Sequence, residues 1–399
     1  MHLETPAPFD LIIIGAGPAG CAAAIRAAQL RPERASRVLL LDGARFPRVK
    51  VCGGGIVRRG DYLLRRLGVD LHVHSTPIDA GTFVFPSGTV TLRRPGMFRV
   101  VRREEFDDAL LHFAQARGVQ VRQGTPVLDL QLSPEGVLVS TPQERFRATV
   151  VIGADGANGL TRKVAISGRP RLSMVGLETF TRPTLPELIP RQRRTAVFDF
   201  TCVGAGIQGY AWDFPAGEEQ SPLVNRGVFH THFGGRPSRM NLKSYLLGSL
   251  HERNIEVAPE QIKGHPAHMY DPSVPCSAPH LLLAGDAIGI EPLLGEGISS
   301  ALETGIMAAE TAVRALRSGD YSFSRYSDDV RASHRMRSVR LKRAVAERFY
   351  TGQPRWWALV GTVGVTAAYL RASQSWDGLR GMTGVGSVSA QQQHRDNAG

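Results

Sequence analysis

The residues that most constrain this chain are Asp10–Gly20, DLIIIGAGPAG. Leu11 to Ile14 is an apolar, β-branched run of strand type, and Gly15-Ala-Gly17-Pro-Ala19-Gly20 breaks it at once. Cys21 to Leu30 then reads CAAAIRAAQL, rich in helix-favouring alanine, so the glycines sit at a strand-to-helix turn. Gly15 permits the tight turn, Gly17 lets backbone approach a pyrophosphate, and Gly20 lets helix and strand pack closely; Ala19 belongs to the same ligand-facing turn. The phosphates would lie at the positive helix N-terminus. A second strand, Val38 to Leu41, ends in Asp42, 22 residues beyond Gly20, where a carboxylate can accept from an adenosine ribose hydroxyl.

At 399 residues the chain is long enough for two domains, and 42% hydrophobic with 21% charged residues is an ordinary globular composition. The four cysteines (Cys21, Cys52, Cys202, Cys276) form no CxxC pair, which argues for thiols rather than a metal knuckle or disulfide framework, and no metal site is expected. Only Met1 to Phe9 precede the first strand, and no apolar run reaches the length of a membrane span, so a cytoplasmic chain is expected. The net charge of +12 is uneven: Arg331 to Tyr350 holds seven Arg or Lys against one Glu. No nucleic-acid motif accompanies it, so a solvated helix face or an anionic lipid surface are the readings kept.

Along the chain, Phe46 to Gly55 (FPRVKVCGGG) is a glycine-dense loop leading to a helix around Ile56 to Leu67. Its glycines, Gly53 among them, allow backbone to lie against a flat ligand, with Cys52 a soft group just before them. TFVF and SGTVTLRR, within Ile78 to Arg93, suggest a hairpin. Arg103 opens a helix to about Ala116 and could reach a phosphate or ribityl oxygen. Val119 to Thr149 reads as an antiparallel meander ending in Val150-Val-Ile-Gly-Ala-Asp155-Gly156, where Asp155 could orient a nearby amide or hydroxyl. Leu172 to Phe233 alternates with period two, as a mainly antiparallel sheet, and in YAWDFP the alternation puts Tyr210, Trp212 and Phe214 on one face. His280 to Ala284 is another buried strand, followed by Gly285-Asp286-Ala287 and then Gly295-Glu-Gly297-Ile298 before a helix from about Ser299 to Leu316. That glycine pair aims backbone N–H groups at an electron-rich ligand edge. Trp356 to Leu370 is a 15-residue apolar run, too short to span a bilayer but suited to an interfacial segment or a core helix.

GAGPAG with Asp42, GADG at 153–156 and GDA…P…GEGI from 285 to 298 together resemble the three fingerprints of the glutathione-reductase-type FAD fold. Two further matches resemble the geranylgeranyl reductases: FPRVKVCGGG fits their K-x-C-G-G loop, and YAWDFP fits their Y-x-W-x-F-P motif at every fixed position. The resemblance covers roughly Asp10 to Leu316; Gly159 stands where relatives often have serine, and no G-W-x-W-x-I-P halogenase signature occurs.

The resemblance implies an α/β Rossmann-type FAD domain built from 1–77, 101–165 and 275–330. An antiparallel substrate domain (78–100 and 166–274), a helical region (331–385) and a disordered tail (386–399) complete the organisation. FAD would be bound by Gly15, Gly17, Ala19, Gly20, Asp42, Cys52, Gly53, Arg103, Asp155, Asp286, Gly295, Gly297 and Ile298, with NAD(P)H or an external electron donor as the source of electrons. Cys52, Tyr210 and Trp212 become the catalytic candidates, beside a hydrophobic, prenylated small-molecule substrate. The expected reaction is reduction of prenyl double bonds by hydride from reduced flavin and a proton from a nearby acid. The alternative is an NAD(P)H-dependent monooxygenase acting on a prenylated or polycyclic aromatic compound. A lipid-borne substrate further implies peripheral contact with the inner face of a membrane, through the basic stretch and the apolar segment that follows it.

Overall fold

The structure, a computed structural model, describes residues 9–351 apart from 167–172, 190–191, 219 and 235–240. The apolar segment Trp356–Leu370 and the C-terminal tail lie outside the described residues.

Two eight-stranded sheets carry the fold. In the first, β1 (Phe9–Ile14) lies between β2 (Val38–Leu41) and β9 (Arg145–Gly153), parallel to both. β16 (Leu281–Leu283) runs parallel to β9, and β6 (Gln120–Arg122) parallel to β2. The antiparallel pair β7 (Asp129–Ser133) and β8 (Gly136–Ser140) continues from β9, and β15 (Ser277–Ala278) edges β16. Parallel neighbours need crossovers, and α1 (Pro18–Leu30) supplies the one between β1 and β2. Leu11 and Ile13 face the core formed with α1, α3 (Arg103–Ala116) and α6 (Ile298–Ser318), while Ile12 and Ile14 face the β7–β8 layer. Burial on both faces explains why β1 is apolar from Leu11 to Ile14 rather than alternating. Strands β1, β2, β9 and β16 all end on the same edge, at Gly15, Asp42, Ala154 and Ala284.

The second sheet runs β14 (Lys263–His268), β10 (Ser173–Thr181), β13 (Val224–Thr231), β12 (Gly209–Pro215), β11 (Thr195–Asp199), β4 (Ser75–Phe85), β5 (Gly88–Val101), β3 (Gly55–Val57). Only β11–β4 is parallel. One face carries aromatic rings in mutual contact, including Phe83, Phe198, Tyr210, Trp212 and Phe214. The opposite face is covered by α5 (Leu242–His251), whose Leu246 and Leu250 pack with Val228 and Ile207. The remaining described helices are α2 (Arg58–Arg66), α4 (Leu160–Ala165), α7 (Tyr326–Ala332) and α8 (His334–Thr351).

Two local expectations are corrected. Ile56 and Val57 do not begin a helix: they pair with Arg99 and Phe98 of β5, so the Cys52 loop runs directly into the second sheet and α2 begins at Arg58. β-branched residues after a glycine run favour that extended pairing. The stretch after Val119 is not all meander, because β6 is the parallel edge strand of the first sheet, registered against Leu39–Leu41.

Candidate cofactor and substrate site

The turn after β1 has no room for a side chain at Gly15 or Gly20. Gly15 has φ +100°, its N–H donates to the Leu41 carbonyl at 2.7 Å, and a Cβ there would lie 2.3 Å from the Ala154 carbonyl oxygen. A Cβ on Gly20 would lie 1.8 Å from the Gly15 oxygen. At Gly17, the N-cap of α1, the nearest group to a built Cβ is Arg48 Nη2, at 3.6 Å, so the helix N-terminus is left open beside a cation. Open backbone amides, a helix dipole and a guanidinium suit a pyrophosphate.

Arg103 is fixed from below by a bidentate bond to Asp107, with both N···O distances 2.8 Å, and Arg48 Nη2 approaches the same carboxylate at 3.4 Å. Asp107 is fully buried and Arg103 is held firmly protonated: its partners Asp107 and Cys52 outweigh the desolvation that opposes its charge. Arg48 and Asp107 were not singled out by sequence. The signal was present in FPRVKV, where Arg48 precedes the cysteine loop.

Asp42 accepts from the Ala16 N–H at 2.7 Å through Oδ2 and from the Ala44 N–H at 2.8 Å through Oδ1. It therefore ties the end of β2 to the glycine turn, and each oxygen retains a second lone pair for a ribose hydroxyl. Asp155 does orient an amide and a hydroxyl, both of Thr161, at 3.0 and 2.5 Å. This caps the start of α4 and explains the glycine at 159: a Cβ there would lie 2.1 Å from the Asp155 carboxyl.

Asp286 and Ala287 follow β16 in a short helical turn, and the loop from there to α6 contains Gly295 (φ +67°) and Gly297, the N-cap of α6. Gly297 stands 3.6 Å, measured from a built Cβ, from Asp286 Oδ1. The loop is tied to the second sheet, since the Tyr210 hydroxyl donates to the Leu294 carbonyl at 2.6 Å and Gly295 sits against the Phe229 ring. Burial pushes the Tyr210 phenol well above its usual range. The glycine turn, Asp42, the Arg48–Arg103 pair and this glycine loop line up along the carboxyl ends of the parallel strands, where α/β sheets bind ligands. The residues present fit FAD.

The second sheet contributes a buried polar network to the Cys52 loop. Glu178 of β10, Gly227 of β13 and Trp212 of β12 are directly opposite one another in register and share a face. A Cβ on Gly227 would lie 2.2 Å from the Trp212 ring, so the glycine makes room for the indole. Trp212 Nε1 donates to Asn225 Oδ1 at 2.8 Å, and Asn225 Nδ2 donates to Glu178 Oε2 at 3.0 Å and to the Cys52 carbonyl at 3.2 Å. The Cys52 N–H donates to the same Glu178 oxygen at 2.9 Å. Gly53 packs against Phe214 and Trp212, with a built Cβ 3.0 Å from Phe214. Tyr210, Trp212 and the Cys52 loop, expected together, are together. Glu178 and Asn225 were not expected, although a lone glutamate within a strand of otherwise apolar and small residues was the available signal.

Glu178 is 4% exposed, and burial raises its carboxyl to about 7 despite the bonds from Asn225 and Cys52 and the charges of Arg103 and Lys50. Burial likewise lowers Lys50 to about 8, with Asp286, Arg103, Cys52 and Arg48 in electrostatic reach. Lys50 contacts His265 Nε2, and burial lowers that imidazole to about 4, so the ring is a neutral acceptor.

The basic run proves two-sided. Arg335, Lys342 and Arg343 of α8 turn inward, bonding Ser300 and Glu296, Glu291, and the Tyr270 carbonyl with Asp271. Arg337, Arg340 and Arg348 stay exposed beside Leu341, which is 57% exposed. Among the described residues no helix is long and apolar enough to cross a membrane.

Residues 9–178 match an FAD binding domain family. The chain is 30% identical to a menaquinone reductase of Mycolicibacterium smegmatis, over 75% of this chain and 75% of the relative. It is 27% identical to digeranylgeranylglycerophospholipid reductase 3 of Methanosphaera stadtmanae, over 78% of this chain and 79% of the relative. Among solved structures, a geranylgeranyl bacteriochlorophyll reductase-like protein of Thermoplasma acidophilum superposes with a TM-score of 0.70, at 21% identity over 87% of this chain and 89% of that one, which shows the shared fold. With its flavin fingerprints, its cysteine loop and its aromatic strand in one site, the chain belongs to the geranylgeranyl reductase family of FAD-dependent oxidoreductases.

Proposed function

We propose that this protein reduces isolated double bonds in the isoprenoid chain of a hydrophobic substrate. The observation that carries the reading is the meeting of the Cys52 loop with the aromatic face of the second sheet through one buried carboxyl, Glu178. The acceptors in the relatives' names, a menaquinone and a digeranylgeranyl lipid, share an isoprenoid chain, which supports the substrate class.

Bound FAD supplies hydride chemistry, and the electrons would reach it from NAD(P)H or a protein donor. Saturating an alkene also requires a proton on the second carbon. Glu178, raised to about 7, is protonated in about half of the molecules at neutral pH, where an ordinary carboxyl is almost wholly ionised. Cys52 and Arg103 stand next to it, and Tyr210 and Trp212 present apolar ring surface to an apolar chain. Gly15, Gly17, Gly20, Arg48, Arg103 and Asp42 would hold the nucleotide half of the cofactor, and the Gly295–Gly297 amides the ring. The exposed face of α8, with Arg337, Arg340, Leu341 and Arg348, would make peripheral contact with an anionic membrane that stores the substrate.

The test is anaerobic reoxidation. Photoreduced, FAD-loaded protein mixed with a geranylgeranyl lipid, whose only acceptors are isolated double bonds, regains its oxidised flavin absorbance if the reading holds. Reoxidation only after oxygen is admitted would favour the monooxygenase instead.

A further inference from the structure

The C-terminal helix α8 lies beyond the flavin fingerprints, yet its inward cations end on the loop that carries Gly295 and Gly297. Lys342 Nζ lies 3.5 Å from Glu291 Oε2, and Glu291 is fully buried. The Glu291 carboxylate in turn accepts from the N–H groups of Leu293 and Leu294, at 2.5 and 3.1 Å, so it organises the loop immediately before Gly295. Two turns nearer its start, Arg335 pairs with Glu296, donates to the Ser300 hydroxyl at 2.9 Å and to the Glu296 carbonyl at 3.3 Å. Glu296 also accepts from the Ser299 N–H at 2.9 Å, inside the first turn of α6. Arg343 reaches the Tyr270 carbonyl at 2.7 Å, and the Tyr270 N–H donates to Ile290, where the loop begins.

We propose that α8 is a clamp on the cofactor loop, with Lys342 and Arg335 as positioning residues that set how FAD is held. The proposal rests on the FAD reading of the Gly295–Gly297 loop. Its physical basis is that a fully buried carboxylate is costly without a partner, and the oxygens of this one are the acceptors that hold the two amides of the loop in place. Removing the ammonium strands the buried Glu291 charge, which then draws water and pulls the carboxylate away from the two amides, releasing the loop. The second sheet holds the same loop from the Tyr210 side, so loss of the clamp loosens one support without detaching the segment.

The test measures FAD dissociation constants by flavin fluorescence for the full chain, together with the two-electron potential of the bound flavin and the melting temperature. Lys342→Met is expected to weaken FAD at least tenfold and to move the potential negative, because loosened amides stabilise charge on the reduced ring less well. Lys342→Met combined with Glu291→Gln, which removes the stranded charge but keeps an amide acceptor, is expected to recover most of the affinity. Lys342→Arg, which keeps the cation, should stay near wild type and covers the case in which the methionine variant does not fold. Unchanged FAD affinity and potential in a folded Lys342→Met protein, or a double variant no better than the single one, overturns the clamp while leaving the FAD reading intact. A wild-type chain that takes up no FAD would overturn both.

Discussion

Glu178→Gln replaces a buried carboxyl by a neutral amide of the same shape, and its effect is set by pH. In the folded protein burial raises the carboxyl to about 7, against an ordinary 4.5. One pKa unit corresponds to about 1.4 kcal/mol, so ionised Glu178 costs the fold about 3 kcal/mol relative to the unfolded chain. Between the two values the folded state keeps a proton that the unfolded chain has already lost. Stability attributable to this residue is therefore complete below the unfolded value, falls as pH rises through the window, and levels off above about 7. Glutamine has no proton to lose. The bonds from Cys52 and Asn225 both end on Oε2, so a single amide oxygen replaces their acceptor. The variant should match wild type near pH 4 and exceed it by about 3 kcal/mol near pH 9. The assay is thermal or denaturant unfolding of both FAD-loaded proteins across that range, read as the difference between them. A difference that does not change with pH would refute the claim that folding raises the Glu178 carboxyl toward neutrality, and with it the assignment of the proton.

Asp42→Ala removes the acceptor for the Ala16 and Ala44 amides as well as a ribose partner, and should weaken FAD by roughly 1.5–3 kcal/mol in a fluorescence titration; unchanged affinity would remove Asp42 from the site. Gly227→Ala sets a methyl against both the Trp212 ring and the Leu177 carbonyl, and should displace the indole from Asn225 and strain the β10–β13 pairing, seen as an altered tryptophan emission, a lowered melting temperature and loss of substrate turnover. Vesicle cosedimentation should show salt-sensitive binding to anionic membranes that Arg337→Glu/Arg340→Glu/Arg348→Glu abolishes; equal partitioning of variant and wild type would rule the outer face of α8 out as the docking element.

The cofactor half of the fold was legible because its constraints are local. A β-branched strand, a turn that excludes a Cβ at Gly15 and Gly20, and an alanine helix are adjacent in sequence, so Gly15, Gly17, Gly20 and Asp42 could be read directly. The helix from Arg103 to Ala116 was equally plain from its acidic first turn and apolar spacing. Glu178 and Asn225 were not legible, because their meeting with Cys52 depends on the register of β10 against β13, set by pairing between strands more than 40 residues apart. The basic run misled in part for a similar reason. Helical spacing separates Arg335 and Lys342 from Arg337 and Arg340, but only the position of the Glu291 and Glu296 loop decides which side is buried.

The central claim is that the hydride and proton add to a carbon–carbon double bond and that no oxygen is transferred. The most direct measurement is the mass of the product formed when reduced, FAD-loaded protein turns over a geranylgeranyl lipid without oxygen. A gain of two hydrogens per turnover, unchanged when oxygen is present, is the predicted result; a product that appears only in oxygen and has gained an oxygen atom would contradict it.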